Sequence, residues 1–150
     1  MHTAYLLLGG NMENRDGMLQ HALDSLRELG RIRTVSTRKE TEPWGFNRPV
    51  NAFLNQVVCL ETALGPEVLM EKCLEIEKKL GRIRKGSSYS REIPKPYESR
   101  LIDIDILLYD RVKTHTKNLI LPHPRLKERP FALELLEEIL PKNLSLEDFY

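Results

Sequence analysis

The stretch RLIDIDILLY, Arg100 to Tyr109, restricts the fold more than any other part of the chain. Its Ile and Leu residues suit a protein interior, yet Asp103 and Asp105 stand among them. In an extended chain alternate side chains point to opposite faces. The two carboxylates therefore share a face with Leu101 and Leu107, about 6.5 to 7 Å apart, while Ile102, Ile104, Ile106 and Leu108 take the other. Such a strand needs a sheet with one dry face and one that tolerates charge. Two ionised carboxylates this close repel and resist burial, so something positive is expected between them, either a metal ion or an arginine. Asp-x-Asp is also common on the wet side of half-exposed sheets, so the tripeptide gains meaning only from its surroundings.

Those surroundings read as alternating strands and helices. TAYLLLG is a first strand ending at Gly9 and Gly10, and Leu19, Ala22, Leu23, Leu26 and Leu29 follow at helical spacing before Gly30 stops the helix. RIRTVSTRKE alternates as a second strand, and NAFLNQVVCLETAL supplies a third after a loop with Pro43, Gly45 and Pro49. Gly65 and Pro66 open a second helix whose stripe is Leu69, Cys73, Ile76 and Leu80, with Gly81 as its stop. Arg82 to Arg100 shows no periodicity and reads as a long loop. The acidic strand comes next, then a hairpin through VKTHTKNLIL and a short helix from Pro130 to Leu140. The order βαββαβ is the ferredoxin-like α+β plan, an antiparallel sheet with both crossover helices on one face and the other face left open.

Bulk properties narrow the function. A length of 150 residues suits one domain, 1–150, with a real core. A net charge of +1 with 30% charged residues argues against a nucleic-acid binder relying on overall basicity, and against disorder. Cys59 and Cys73 lack the spacing of zinc ligands or a redox pair and read as buried reduced thiols. No apolar run approaches the ~18 residues of a membrane span, and the N-terminus lacks a signal-peptide pattern. A soluble, cytoplasmic protein is expected.

Any basic site must therefore be local. Arg82 to Arg100 holds Arg82, Arg84, Lys85, Arg91, Lys95 and Arg100 against only Glu92 and Glu98. Taken alone this is a solvated loop; placed directly before two aspartates it suits a polyphosphate, with carboxylates holding magnesium and arginines holding phosphoryl oxygens. In NAFLN, Phe53 and Asn55 share a face, so a ring and an amide could recognise a planar heterocycle, although core Phe and turn Asn are commoner singly. LPHPRLKERPF holds His123 in a stiff, proline-flanked segment, with Arg125, Arg129 and Phe131 close behind. Glu77 sits beside the second helix's apolar stripe.

Together YLLLGGN, TEPWG, FLNQVVCLET, LEIEKKLGRIR, SRLIDIDILLY and LPHPRLKERPFAL resemble, in order, the 6-hydroxymethyl-7,8-dihydropterin pyrophosphokinases of folate biosynthesis. That family is ferredoxin-like, uses two Mg2+ ions, and transfers pyrophosphate from ATP to the pterin hydroxymethyl group, releasing AMP. By this resemblance Asp103 and Asp105 are metal ligands and act catalytically with Arg82 and Arg100. ATP contacts fall on Glu77, Arg82, Arg84, Arg100, Ile106, His123 and Arg129. The pterin falls to Thr41, Pro43, Trp44, Gly45, Phe53, Asn55 and Phe131. A monomer binding ATP and the pterin, with no nucleic-acid or membrane partner, is the expectation. Many members carry Trp-Gly-Pro-Arg before the metal strand, where this chain has Tyr97 to Arg100. From the residues alone, a nucleotidyltransferase releasing pyrophosphate and a noncatalytic ligand-binding domain remain as rivals.

Overall fold

The computed structural model describes residues 1–10, 15–41, 53–85 and 102–150, with 81–85 as backbone only. Strand β1 (His2–Gly10) is followed by α1 (Arg15–Leu26), β2 (Gly30–Val35), β3 (Lys39–Thr41), β4 (Phe53–Thr62) and α2 (Pro66–Lys85). Then come β5 (Asp103–Tyr109), the hairpin β6 (Thr114–His115) with β7 (Ile120–Leu121), and α3 (Pro130–Ile139). The main sheet runs β2-β4-β1-β5, all antiparallel, and β3 pairs with the first residues of β4. This is the ferredoxin-like order that the βαββαβ pattern predicts. Among the described residues no helix is long and apolar enough to cross a membrane.

Strand alternation sorts the side chains into two cores. Ala4, Leu6 and Leu8 of β1, with Val58 and Leu60 of β4 and Ile104 and Ile106 of β5, pack against Leu19 and Leu23 of α1 and Leu69 and Ile76 of α2. The opposite face is not open as expected. Tyr5, Leu7, Val57, Cys59 and Leu107 are covered by Leu126, Leu135, Leu136 and Phe149. The sheet is apolar on this side too, and α3 offers Ala132, Leu135 and Leu136 at helical spacing to cover it. The cover is pinned at β3's side, where Thr37 donates its backbone N–H and hydroxyl to the Glu138 carboxylate, each at 2.8 Å, and Lys39 pairs with Glu134 at 3.0 Å.

Several boundaries differ from expectation. Helix α1 ends at Leu26, and Gly30 opens β2 instead of closing the helix. A Cβ on Gly30 would lie 2.0 Å from the Glu61 carbonyl oxygen, so close strand approach explains the glycine. The second strand does not run through to Glu40. Ser36 donates its N–H to the Val57 carbonyl and accepts the Val57 N–H on its hydroxyl, both at 2.8 Å, replacing a regular ladder step before β3 resumes. Helix α2 runs past Gly81 to Lys85, so Arg82 and Arg84 stand on a helix backbone and not in a loop. One glycine costs a helix only about 1 kcal/mol, too little to end one held by tertiary packing. Finally, Tyr5 pairs with Leu108 and Leu6 with Ile106, leaving Leu107 as an extra residue. That bulge turns Leu108 to the same side as Leu107, and Tyr109 to the helix side, reversing the expected placement of Leu108.

Candidate active site

The covered face stops short of one end of the sheet, and there the register aligns the polar groups. Gly9 of β1 pairs with Asn55 on one side and Asp103 on the other, and Leu7 pairs with Val57 and Asp105. Cross-strand partners share a face, so Asn55 and Asp103 look out from the same side, with Cα atoms about 9.5 Å apart over the bare glycine. A cavity of about 680 Å³ opens above this row. Thr41, Phe53 and Asn55 line one side of it and Asp103 and Asp105 the other, while Phe131, just inside α3 after Pro130, forms a further wall. A ring and an amide thus stand beside two carboxylates over one cavity.

Asn55 is held in one orientation. Its Nδ2 donates to the Lys39 carbonyl at 3.1 Å and to the Thr41 hydroxyl at 2.9 Å. Since a carbonyl cannot donate, the amide cannot be turned over. Its Oδ1 then lies on the Gly9 side, where a Cβ would come within 3.1 Å of it. The side chain is buried, and among the described residues Oδ1 accepts no hydrogen bond. A buried acceptor of this kind is suited to reading a donor on a ligand edge.

Two contacts brace this pair, one at a side chain and one at the backbone. Arg129, at the N-cap of α3, places Nη1 3.2 Å from Asp105 Oδ2. Both side chains keep solvent contact, so the pair adds at most about 1 kcal/mol and can be exchanged for a ligand. From the helix layer, Glu77 accepts the Ile104 N–H at 2.6 Å, fixing the backbone between the two aspartates. Beneath them, burial and the charges of Glu77 and Asp105 push the Cys73 thiol up to about 12. Among the described residues no three His, Cys, Asp or Glu side chains gather into a metal cage. Two hard oxygen donors on one face fit an ion such as Mg2+, which keeps waters and completes its shell with substrate phosphates.

A second cavity, about 200 Å³, lies beyond the outer edge of β5. Met70, Ile106, Lys117 and His123 line it, and Asp105 lines both cavities. Because the Ile104 N–H points to this edge toward Glu77, strand alternation sends the Ile106 amide and carbonyl there as well, a ready pair for a heterocycle. His123 is fixed by its own N–H, which donates to the Leu107 carbonyl at 2.9 Å, and by the Arg125 N–H, which donates to its Nδ1 at 3.1 Å. A neutral ring with Nδ1 accepting carries its proton on Nε2. Burial, opposed by Asp105 and aided by Arg129 and Arg125, holds the ring below the usual histidine range and so in that neutral form.

Of the residues expected from the sequence, Thr41, Phe53, Asn55, Asp103, Asp105, Arg129 and Phe131 line the larger cavity, and Ile106 and His123 the smaller. Glu77 touches the backbone between the aspartates, on neither cavity wall. Arg82 and Arg84 lie on the last turns of α2, and their side chains are outside the described residues, as are Pro43, Trp44, Gly45, Arg100 and the basic segment 86–100. Sequence reasoning missed Gly9 and Glu128 as lining residues and left Arg125 without a role. Gly9 could have been found from the pairing of its strand; the others depend on where a short turn points.

Comparison with known proteins follows the same outline. Residues 5–141 match the family described as 7,8-dihydro-6-hydroxymethylpterin-pyrophosphokinase, HPPK. A 2-amino-4-hydroxy-6-hydroxymethyldihydropteridine pyrophosphokinase from Porphyromonas gingivalis is 39% identical over 143 residues, covering 94% of this chain and 92% of that protein. Its namesakes from Aquifex aeolicus and Bacillus subtilis are 39% and 38% identical, over 94% and 92% of this chain and 82% and 78% of theirs. The crystal structure of wild-type Plasmodium falciparum HPPK-DHPS with SDX-DHP superposes with a TM-score of 0.65 at 18% identity. That alignment covers 94% of this chain and 40% of the longer one, and carries the fold alone. With the family pattern matched along nearly its whole length and relatives near 39% identity, the chain belongs to the 7,8-dihydro-6-hydroxymethylpterin-pyrophosphokinase family.

Proposed function

We propose that the two cavities divide the family's reaction between them, the pterin over the Asn55–Gly9–Asp103 row and ATP against the outer edge of β5. The reaction is transfer of pyrophosphate from ATP to the hydroxymethyl group of the dihydropterin, a step in folate biosynthesis. The observation that carries the assignment is that Asp105 lines both cavities, so a group passing from one to the other crosses the carboxylate pair.

The residues' tasks follow from their positions. Phe53 and Phe131 offer flat apolar faces to the pterin ring, and Asn55 Oδ1 accepts from its edge. The Ile106 backbone and His123 Nε2–H meet the nucleotide. Asp103 and Asp105 would hold two magnesium ions, which when bound neutralise phosphate charge. Arg129, released from Asp105, is free to grip phosphoryl oxygens, joined in this reading by Arg82, Arg84 and Arg100. The pterin hydroxyl oxygen bonds to the β-phosphorus as the bond from that phosphorus to the α–β bridging oxygen breaks; AMP departs with the electron pair, and the hydroxyl proton passes to water. Glu77 holds the aspartate backbone steady throughout. The reading extends to a monomeric, cytoplasmic, single-domain enzyme.

Protein mixed with ATP, magnesium and 6-hydroxymethyl-7,8-dihydropterin should release AMP. ADP would mean an ordinary kinase, and no turnover a binding domain. Asp103→Ala and Asp105→Ala should each lower turnover at least a thousandfold with the fold intact, and wild-type rates in either would refute the metal assignment.

A further inference from the structure

We propose that Arg125 holds the diphosphate once it has moved to the pterin side, so that the enzyme distinguishes its diphosphate product from its alcohol substrate. The inference rests on the reading above. Transfer carries several negative charges from the β5 edge into the larger cavity, whose wall already includes Asp103, Asp105 and Glu128. Beside any metal ions on the two aspartates, a protein cation on the acceptor side would offset that charge. Among the described residues two line this cavity, Arg125 and Arg129.

Arg129 pairs with Asp105 at 3.2 Å and, once released, is committed in the reading above to the ATP phosphoryl oxygens. Arg125 makes no ion pair among the described residues, and even Glu128, three residues on in the same turn, forms no salt bridge with it. Its root is nonetheless fixed: its N–H donates to His123 Nδ1 at 3.1 Å, and its carbonyl accepts the Glu128 N–H at 3.0 Å. Its charge lies near enough to His123 to disfavour a second cation there, alongside Arg129. Arg125 lines the larger cavity and not the smaller, which puts it on the pterin side of Asp105 and not the nucleotide side. A guanidinium fork on a fixed root matches the paired oxygens of a terminal diphosphate.

The test is equilibrium binding, read by pterin fluorescence, of the synthetic pterin diphosphate and of the pterin alcohol. Wild type, Arg125→Gln, Arg125→Lys and the control Lys127→Gln are compared, each checked for an unchanged melting temperature. Lys127 sits on the same turn but lies 4.0 Å over the Tyr150 ring. Arg125→Gln should weaken the diphosphate about ten- to a hundredfold and the alcohol less than twofold. Arg125→Lys should fall between, and Lys127→Gln should match wild type. Equal losses for both ligands, no loss for the diphosphate, or the same loss in Lys127→Gln would overturn the assignment. Wild-type protein binding neither pterin would sink the proposed function itself, and Arg125 with it.

Discussion

Replacing Gly9 by alanine should separate stability from recognition. The added methyl would stand 3.1 Å from Asn55 Oδ1, where ordinary contact begins at 3.4 Å. Asn55 cannot retreat freely, because both protons of Nδ2 are committed, to the Lys39 carbonyl and the Thr41 hydroxyl. Stretching one of these bonds costs about 0.5 to 1.5 kcal/mol. Against this, alanine narrows the unfolded ensemble and returns about 0.4 to 1 kcal/mol. The two nearly cancel, so Gly9→Ala should melt within about 4 °C of wild type. Pterin binding has no such offset. The methyl rises from the cavity floor beside Asn55 Oδ1, the acceptor proposed to read the ligand edge, and a lost buried hydrogen bond of about 1 to 3 kcal/mol means roughly 5- to 150-fold weaker binding. ATP, with its proposed place at the outer edge of β5, should bind as before. Fluorescence titration with the pterin, calorimetric titration with MgATP, and thermal melts decide the matter. Unchanged pterin affinity, or equal loss for both ligands, would refute the proposed placement of the pterin over this row.

Gly30→Ala should behave oppositely. Its Cβ would meet backbone at 2.0 Å, which only strand displacement can relieve, so a loss of about 3 kcal/mol or more is expected, and a wild-type melting temperature would contradict the close approach. Cys59 and Cys73 should both resist a disulfide reagent at pH 8 and react only after denaturation. Burial raises both thiols, Cys73 to about 12, and a thiol titrating that high is almost wholly protonated at pH 8, so rapid labelling of the native protein would refute it.

What the sequence disclosed was local periodicity, and where periodicity governs, it was legible. Asp103 and Asp105 stand on one face, Phe53 and Asn55 on one face, and the two couples meet because β1 lies between their strands. The failures are all places where a partner strand or layer decides. Leu108 changes face because β5 carries one residue more than β1 opposite it, a count invisible from either strand alone. The second strand breaks at Ser36 because a hydroxyl substitutes for a ladder bond, and serine gives no such signal in advance. Gly81 reads as a stop and is not one, since the helix is held by its buried stripe. The covered second face was hidden for another reason: Tyr5, Leu7 and Val57 read equally well as one core or as half of two.

Helix α3 closes that second core with Leu135 and Leu136 and raises Phe131 over the cavity from its first turn. Under the proposed function, substrate grip and architectural soundness are thereby drawn from one element. A mutation far from any ligand, loosening Leu136, would first be noticed at the bench as a poorer appetite for pterin, well before the chain failed to fold. The traffic runs the other way too: a molecule clasping Phe131 would shield amides in the carboxy-terminal third from hydrogen exchange, although it touches none of them.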